Sequence, residues 1–159
     1  MHIRTPTRAT RRYQQQLLAP PNIVFPLLCP VREIDWIEGW HPIDVVSISG
    51  LAERDCVFTT PAEPASAIWY VTQHDPQQWF VEMLKVTPGV TACRIEIQLS
   101  PSINGCVADI TYIHTSLGTA GDQFVEEFTE EFYRGFMEAW EARLNHYLAT
   151  GKRLASKEN

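Results

Sequence analysis

Tyr112 and His114 are the residues of this chain best suited to contact a bound molecule. They belong to a strand-like run, Cys106–Ser116, in which Ala108, Ile110, Tyr112 and His114 share one face. A phenol and an imidazole at the end of an apolar face can orient a ligand, if that face looks into a pocket. They can also be structural, with their polar atoms satisfied by neighbours. Glu33 and Asp35 flank the apolar Ile34. A carboxylate there acts as a general acid or base if burial raises its pKa, and is otherwise solvated. Glu82, Arg94 and Glu96 read as outward strand positions paired across strands. His2, His41, His74, His114 and His146 have no metal-type spacing. Cys29, Cys56, Cys93 and Cys106 lack a C-x-x-C pair and read as free buried thiols. No nucleophile elbow, zinc-protease motif, Walker loop or dinucleotide fingerprint is present. The sequence therefore predicts no catalytic residue, no metal and no cofactor.

Those residues need elements to position them. After Pro42 the pattern has period two, in Val45–Ser49, Asp55–Thr60, Ala67–Gln73, Trp79–Val86, Val90–Leu99 and Cys106–Ser116. In Val90–Leu99, Thr91, Cys93, Ile95, Ile97 and Leu99 face one way. Ser100–Gly105 reads as a turn. Residues 8–18 predict an earlier strand. Pro20 and Pro21 then start a short helix, and Pro26 and Pro30 forbid a long one. A second short helical or turn segment ends near Gly39. The final element is predicted as one helix over Asp122–Leu148, with Asp122 as N-cap and Gly151 as C′. Phe124, Phe128, Phe132, Phe136, Trp140, Leu144 and Leu148 recur every fourth residue along it, and Val125, Tyr133, Met137 and Tyr147 widen that stripe into a broad apolar face.

The 159 residues suffice for one domain with a real core; we expect a single domain, its core spanning about 8–151. A composition 45% hydrophobic and 20% charged is globular, and a net charge of −6 argues against a nucleic-acid partner. The arginines at 4, 8, 11 and 12 read as a solvated basic end. There is no signal-peptide pattern and no apolar run of about 18 residues, so a cytoplasmic protein without membrane insertion is expected.

The order of elements, with several local strings, resembles the helix-grip fold of the START, polyketide-cyclase and birch-pollen-allergen superfamily (SRPBCC). Cys29-Pro30-Val31-Arg32-Glu33-Ile34-Asp35-Trp36-Ile37-Glu38-Gly39-Trp40 is similar to the segment leaving the short helices in one bacterial branch. Gly50-Leu51-Ala52-Glu53, Cys56-Val57-Phe58-Thr59-Thr60, Trp69-Tyr70-Val71-Thr72, Thr87-Pro88-Gly89, Thr111-Tyr112-Ile113-His114-Thr115 and Leu144-Asn145-His146-Tyr147-Leu148 resemble that branch too. The resemblance implies an α+β fold: a curved seven-stranded antiparallel sheet, two short helices after the first strand, and one long C-terminal helix over a hydrophobic cavity. Cone-shaped α+β barrels are the alternative, but they generally begin with their long helix.

The expected function is binding of a hydrophobic small molecule, lipid or polyketide-like and aromatic, by a monomer or homodimer. Alternatives are a cyclase- or hydrolase-like enzyme using the same cavity, and an interaction module like the superfamily's chaperone-ATPase regulators. The expected cavity residues are Trp36, Trp40, Phe58, Trp69, Val71, Ile95, Ile97, Tyr112, His114, Phe132, Phe136 and Trp140.

Overall fold

Seven strands form one antiparallel sheet in the computed structural model, which describes residues 1–155. They are β1 (Arg8–Leu17), β2 (Asp44–Val46), β3 (Val57–Thr60), β4 (Ala67–Asp75), β5 (Phe80–Thr87), β6 (Thr91–Ser102) and β7 (Gly105–Ser116). The order across the sheet is β1-β7-β6-β5-β4-β3-β2. Helix α1 (Pro21–Val24) and two 3-10 turns, Phe25–Leu27 and Glu33–Asp35, connect β1 to β2. Helices α2 (Thr119–Glu127) and α3 (Glu130–Thr150) follow β7. This is the helix-grip architecture, a curved sheet with helices on one side.

The local sequence explains most of these elements. Pro20 is extended and Pro21 occupies the first helical turn, where its missing N–H costs nothing. Pro26 lies in the first 3-10 turn, so α1 stops after four residues. Along β6 the inward face is Thr91, Cys93, Ile95, Ile97 and Leu99, all buried, as period two predicts. The outward face carries Arg94, whose guanidinium lies 2.8 Å from Glu96 and 3.6 Å from Glu82. All four cysteines are free and buried.

The strand ends differ modestly from expectation. Val45–Ser49 shortens to β2, and the turn at Ser100–Gly105 narrows because β6 runs to Ser102.

The C-terminal region differs more. The one predicted helix is two helices, broken at Phe128–Thr129. Phe128 leaves α2 with φ −79° and ψ 62°. Thr129 is extended, and its hydroxyl accepts a hydrogen bond from the Phe132 N–H at 3.1 Å, which starts α3. Arg11 of β1 donates from Nε to the freed Phe128 carbonyl at 3.0 Å. Asp122 is not the N-cap; Gly118 is, and Asp122 sits in the first turn of α2. Ser116 and Thr7 hydrogen-bond its carboxyl and hold it below the usual aspartate range.

The buried face is narrower than the predicted apolar face and does not follow the four-residue repeat. On a helix of 3.6 residues per turn, each fourth position advances about 40°, so a long repeat winds around the cylinder. The buried residues of α3 are Tyr133 and Met137, which flank the repeat, and Leu144, which belongs to it. Phe132 is 58% exposed and Phe136 40%.

Specific contacts seat both helices. The Tyr133 hydroxyl donates to the Ile110 carbonyl at 2.8 Å, and Gln15 Nε2 donates to the Met137 carbonyl at 2.9 Å. Asn145 covers part of the open edge of β1: it accepts from the Leu18 N–H and donates to the Gln16 carbonyl, each at 2.9 Å. Gly121 lets α2 approach the β5–β6 turn, where a Cβ would lie 1.9 Å from the Val90 carbonyl oxygen. Gly151 ends α3 in the left-handed region at φ 67°, as its sequence position predicts.

Candidate functional site

A cavity of about 290 Å³ lies between the sheet, the segment after α1, and α3. The register explains its floor. Phe58, Trp69, Lys85, Cys93 and His114 are successive cross-strand partners from β3 to β7, so they form one row on the inward face. Met83, Ile95 and Tyr112 form the next row. Phe58, Trp69, Met83, Lys85, Ile95, Ile97 and Tyr112 line the cavity from the sheet. Leu28, Pro30, Glu33, Ile37 and Trp40 close it on one side, and Phe136, Trp140 and Arg143 of α3 on another. A hollow of similar volume between Thr10–Tyr13 and Glu130, Tyr133 and Arg134 has a more polar wall. The aromatic wall belongs to the cavity over Trp69.

The rings of this wall are pinned. Trp69 Nε1 donates to Thr60 Oγ1 at 2.9 Å, and Trp40 Nε1 donates to the Pro30 carbonyl at 2.7 Å. Trp69 stacks on Phe58 with centroids 5.1 Å apart, and Trp40 stands edge-on to both. Packed indoles with satisfied N–H groups hold their orientation, so the wall is pre-formed.

Of the residues expected at the cavity, eight are brought to its wall: Trp40, Phe58, Trp69, Ile95, Ile97, Tyr112, Phe136 and Trp140. Four are elsewhere. Trp36 is fully buried behind the wall, with Nε1 bonded to the Leu27 carbonyl and its ring 5.0 Å from that of Trp140. Val71 is core. Phe132 points outward because α3 is phased by Tyr133 and Met137.

His114 faces inward as its strand position predicts, but α2 covers it. Its ring packs 4.9 Å from Phe124 and 4.5 Å from Phe128, and it is 5% exposed. Nδ1 has no hydrogen-bond partner among the described residues. Burial, with a smaller contribution from Lys85, lowers its pKa to about 4, so the imidazole is neutral at pH 7.

Four polar side chains do reach the cavity: Glu33, Lys85, Tyr112 and Arg143. Glu33 was foreseen as an acid–base group conditional on burial, and burial pushes its carboxyl up to about 8. The residue as a whole is half-buried and lines the cavity. Asp35 instead pairs with Arg32 at 2.9 Å. Lys85 lies with Nζ 4.8 Å from the centre of the Trp69 ring, and burial lowers its pKa. Burial raises the Tyr112 phenol well above 10, with small additions from Cys93, Tyr133 and Glu33. Cys93 is pushed up to about 12 by burial, which makes it a poor nucleophile.

Sequence reasoning missed Lys85 and Arg143. Lys85 shares the parity of Val81 and Met83, so period two already placed it inward. Arg143 follows Phe136 by seven residues and Trp140 by three, on the same helix face. The set can hold a small molecule by its apolar body and orient it by its polar atoms. Among the described residues no cluster of His, Cys, Asp and Glu is placed to hold a metal ion, and no helix is long and apolar enough to cross a membrane.

No family model and no curated protein matches the chain. Solved structures do. Norcoclaurine synthase from Thalictrum flavum, in complex with dopamine and hydroxybenzaldehyde, superposes with TM-score 0.65 at 12% identity. The match covers 92% of this chain and 90% of that one. The fold they share is the helix-grip fold. Ara h 8.0201 matches this fold with TM-score 0.60 and 12% identity, over 86% of this chain and 97% of its own. DynU16, from the dynemicin biosynthetic locus, matches with TM-score 0.59 and 18% identity over 90% of this chain. This chain spans about half (48%) of the length of DynU16. At such identities the likeness concerns the fold alone.

Proposed function

We propose that this protein binds a compact apolar molecule, built on one or two aromatic rings, in the cavity over Trp69. The observation that carries this reading is a cavity of about 290 Å³ walled by pinned aromatic rings, with a few polar groups on its surface. Ligand pockets typically run from about 300 to 1,000 Å³, so this one suits a small ring system better than a long-chain lipid. Burial of ligand surface drives binding at about 25 cal/mol per Å² before ordering costs. The norcoclaurine synthase neighbour holds two single-ring compounds, dopamine and hydroxybenzaldehyde, which agrees with this size class.

A second reading is an enzyme acting on such a molecule, and Glu33 favours it. A carboxyl titrating near 8 inside a pocket is protonated at pH 7 and can donate a proton to bound substrate. It would give a rate that falls as pH rises through about 8 and is lost in Glu33→Gln.

Titration with neutral one- and two-ring aromatics, followed by tryptophan fluorescence, tests the binding reading. Saturable one-to-one quenching that disappears in Ile97→Trp, which fills the cavity, supports it. Absence of saturation across the whole ring series contradicts it.

A further inference from the structure

Most of the cations engaged in ion pairs in this acidic chain lie on its surface. Arg12 pairs with Asp109, Arg32 with Asp35, and Arg94 with Glu82 and Glu96. Lys85 and Arg143 are in none of the ion pairs among the described residues, yet both line the apolar cavity. The contrast is sharpest on β5, which turns Glu82 outward to Arg94 and Lys85 inward to no carboxylate. An ammonium removed from water without a counter-ion is costly. The face of Trp69 under Lys85 Nζ offsets only part of that cost.

The one carboxyl on the wall, Glu33, forms no ion pair with either cation. Burial holds it protonated at neutral pH, so it does not neutralise them. The wall thus carries two positive charges and, in Glu33 and Tyr112, two neutral O–H donors. A protein with net charge −6 presents an inner surface made for an anion.

Resting on the binding reading above, we propose that the ligand is an organic acid: an aromatic body bearing one carboxylate or comparably acidic oxygen, held as the anion by Lys85 and Arg143. Trp40, Phe58 and Trp69 take the ring system. Glu33 in its protonated form donates to the anion and, once ionised, repels it. The groups facing Glu33 across the cavity are Lys85 from β5, Tyr112 from β7 and Arg143 from α3. On its own turn Arg32 and Asp35 pair with each other, with Tyr147 beside Arg32.

The test compares 2-naphthoate with neutral 2-naphthamide, two probes of nearly equal size, by titration calorimetry. At neutral pH the wild-type protein binds the naphthoate tighter by about tenfold or more, as a charge-assisted contact implies. Lys85→Met reduces that preference to about threefold or less and keeps amide binding, which doubles as the check that the variant is folded. Between about pH 7 and about pH 9, naphthoate affinity of the wild-type protein falls about tenfold, as linkage to a carboxyl titrating near 8 requires. Glu33→Gln removes the Glu33 part of that fall; burial lowers Lys85 too, and any loss of its charge acts in the same direction. Amide bound as tightly as naphthoate overturns the anion proposal and leaves the cavity reading standing. Failure of both probes to bind overturns the cavity reading itself.

Discussion

His114 should cost this protein stability in acid, against an opposite contribution from Glu33, whose folded-state carboxyl titrates near 8. His114 is buried under α2, and its folded-state pKa of about 4 lies well below the ordinary 6.5. In the unfolded chain the imidazole accepts a proton below about 6.5; in the fold it refuses one until about 4. Over that window the unfolded state binds more protons, so stability falls as pH falls. At ~1.36 kcal/mol per pH unit, the loss relative to pH 7 is about 2 kcal/mol at pH 5 and about 3 kcal/mol at pH 4. Replacing His114 by Phe removes the titrating group and the unpaired Nδ1, and places a ring among Phe124, Phe128 and Tyr112. Urea unfolding at four pH values from 7 to 4 measures the effect in both proteins. His74, lowered by burial, and Glu33, raised by it, are present in both proteins and drop out of the difference. The stability curves should diverge by about 3 kcal/mol across the window. Parallel curves would refute the buried, neutral imidazole.

Met137→Ala should cost about 2–5 kcal/mol, as removal of a fully buried side chain does, while Phe132→Ala should cost about 0.5 kcal/mol or less. Chemical denaturation of the pair checks the phase of α3, and equal losses would contradict it. Gly121→Ala should cost at least about 2 kcal/mol by forcing α2 away from the Val90 carbonyl. An unchanged melting temperature would show that α2 does not approach the β5–β6 turn this closely.

The sheet was legible because alternation is local. Period two in Thr91–Leu99 and Ala108–His114 already named the inward faces, and the structure keeps them. What covers an inward residue is a tertiary matter. Strand parity could not say that α2 would roof His114 while leaving Tyr112 on the cavity wall. The helix break was written locally, in Thr129 followed by Glu130 and Glu131, a helix start by both capping and dipole. An unbroken repeat of rings at every fourth residue masked it. Glu33 needed its burial to be known before its role could be decided. Lys85 is in phase with Val81 and Met83, so strand parity alone places it inward.

The central claim, that the cavity over Trp69 is where a ring compound binds, has a direct spectroscopic test. The chain has five tryptophans, and each contributes one indole N–H signal to a nitrogen–proton correlation spectrum. Trp40, Trp69 and Trp140 line the cavity; Trp79, beside the β4–β5 turn, does not. Titration with 2-naphthoate is predicted to shift the Trp40 and Trp69 signals along one saturable curve and leave Trp79 in place. A saturable shift of Trp79 with Trp40 and Trp69 unmoved would place binding elsewhere and contradict the account.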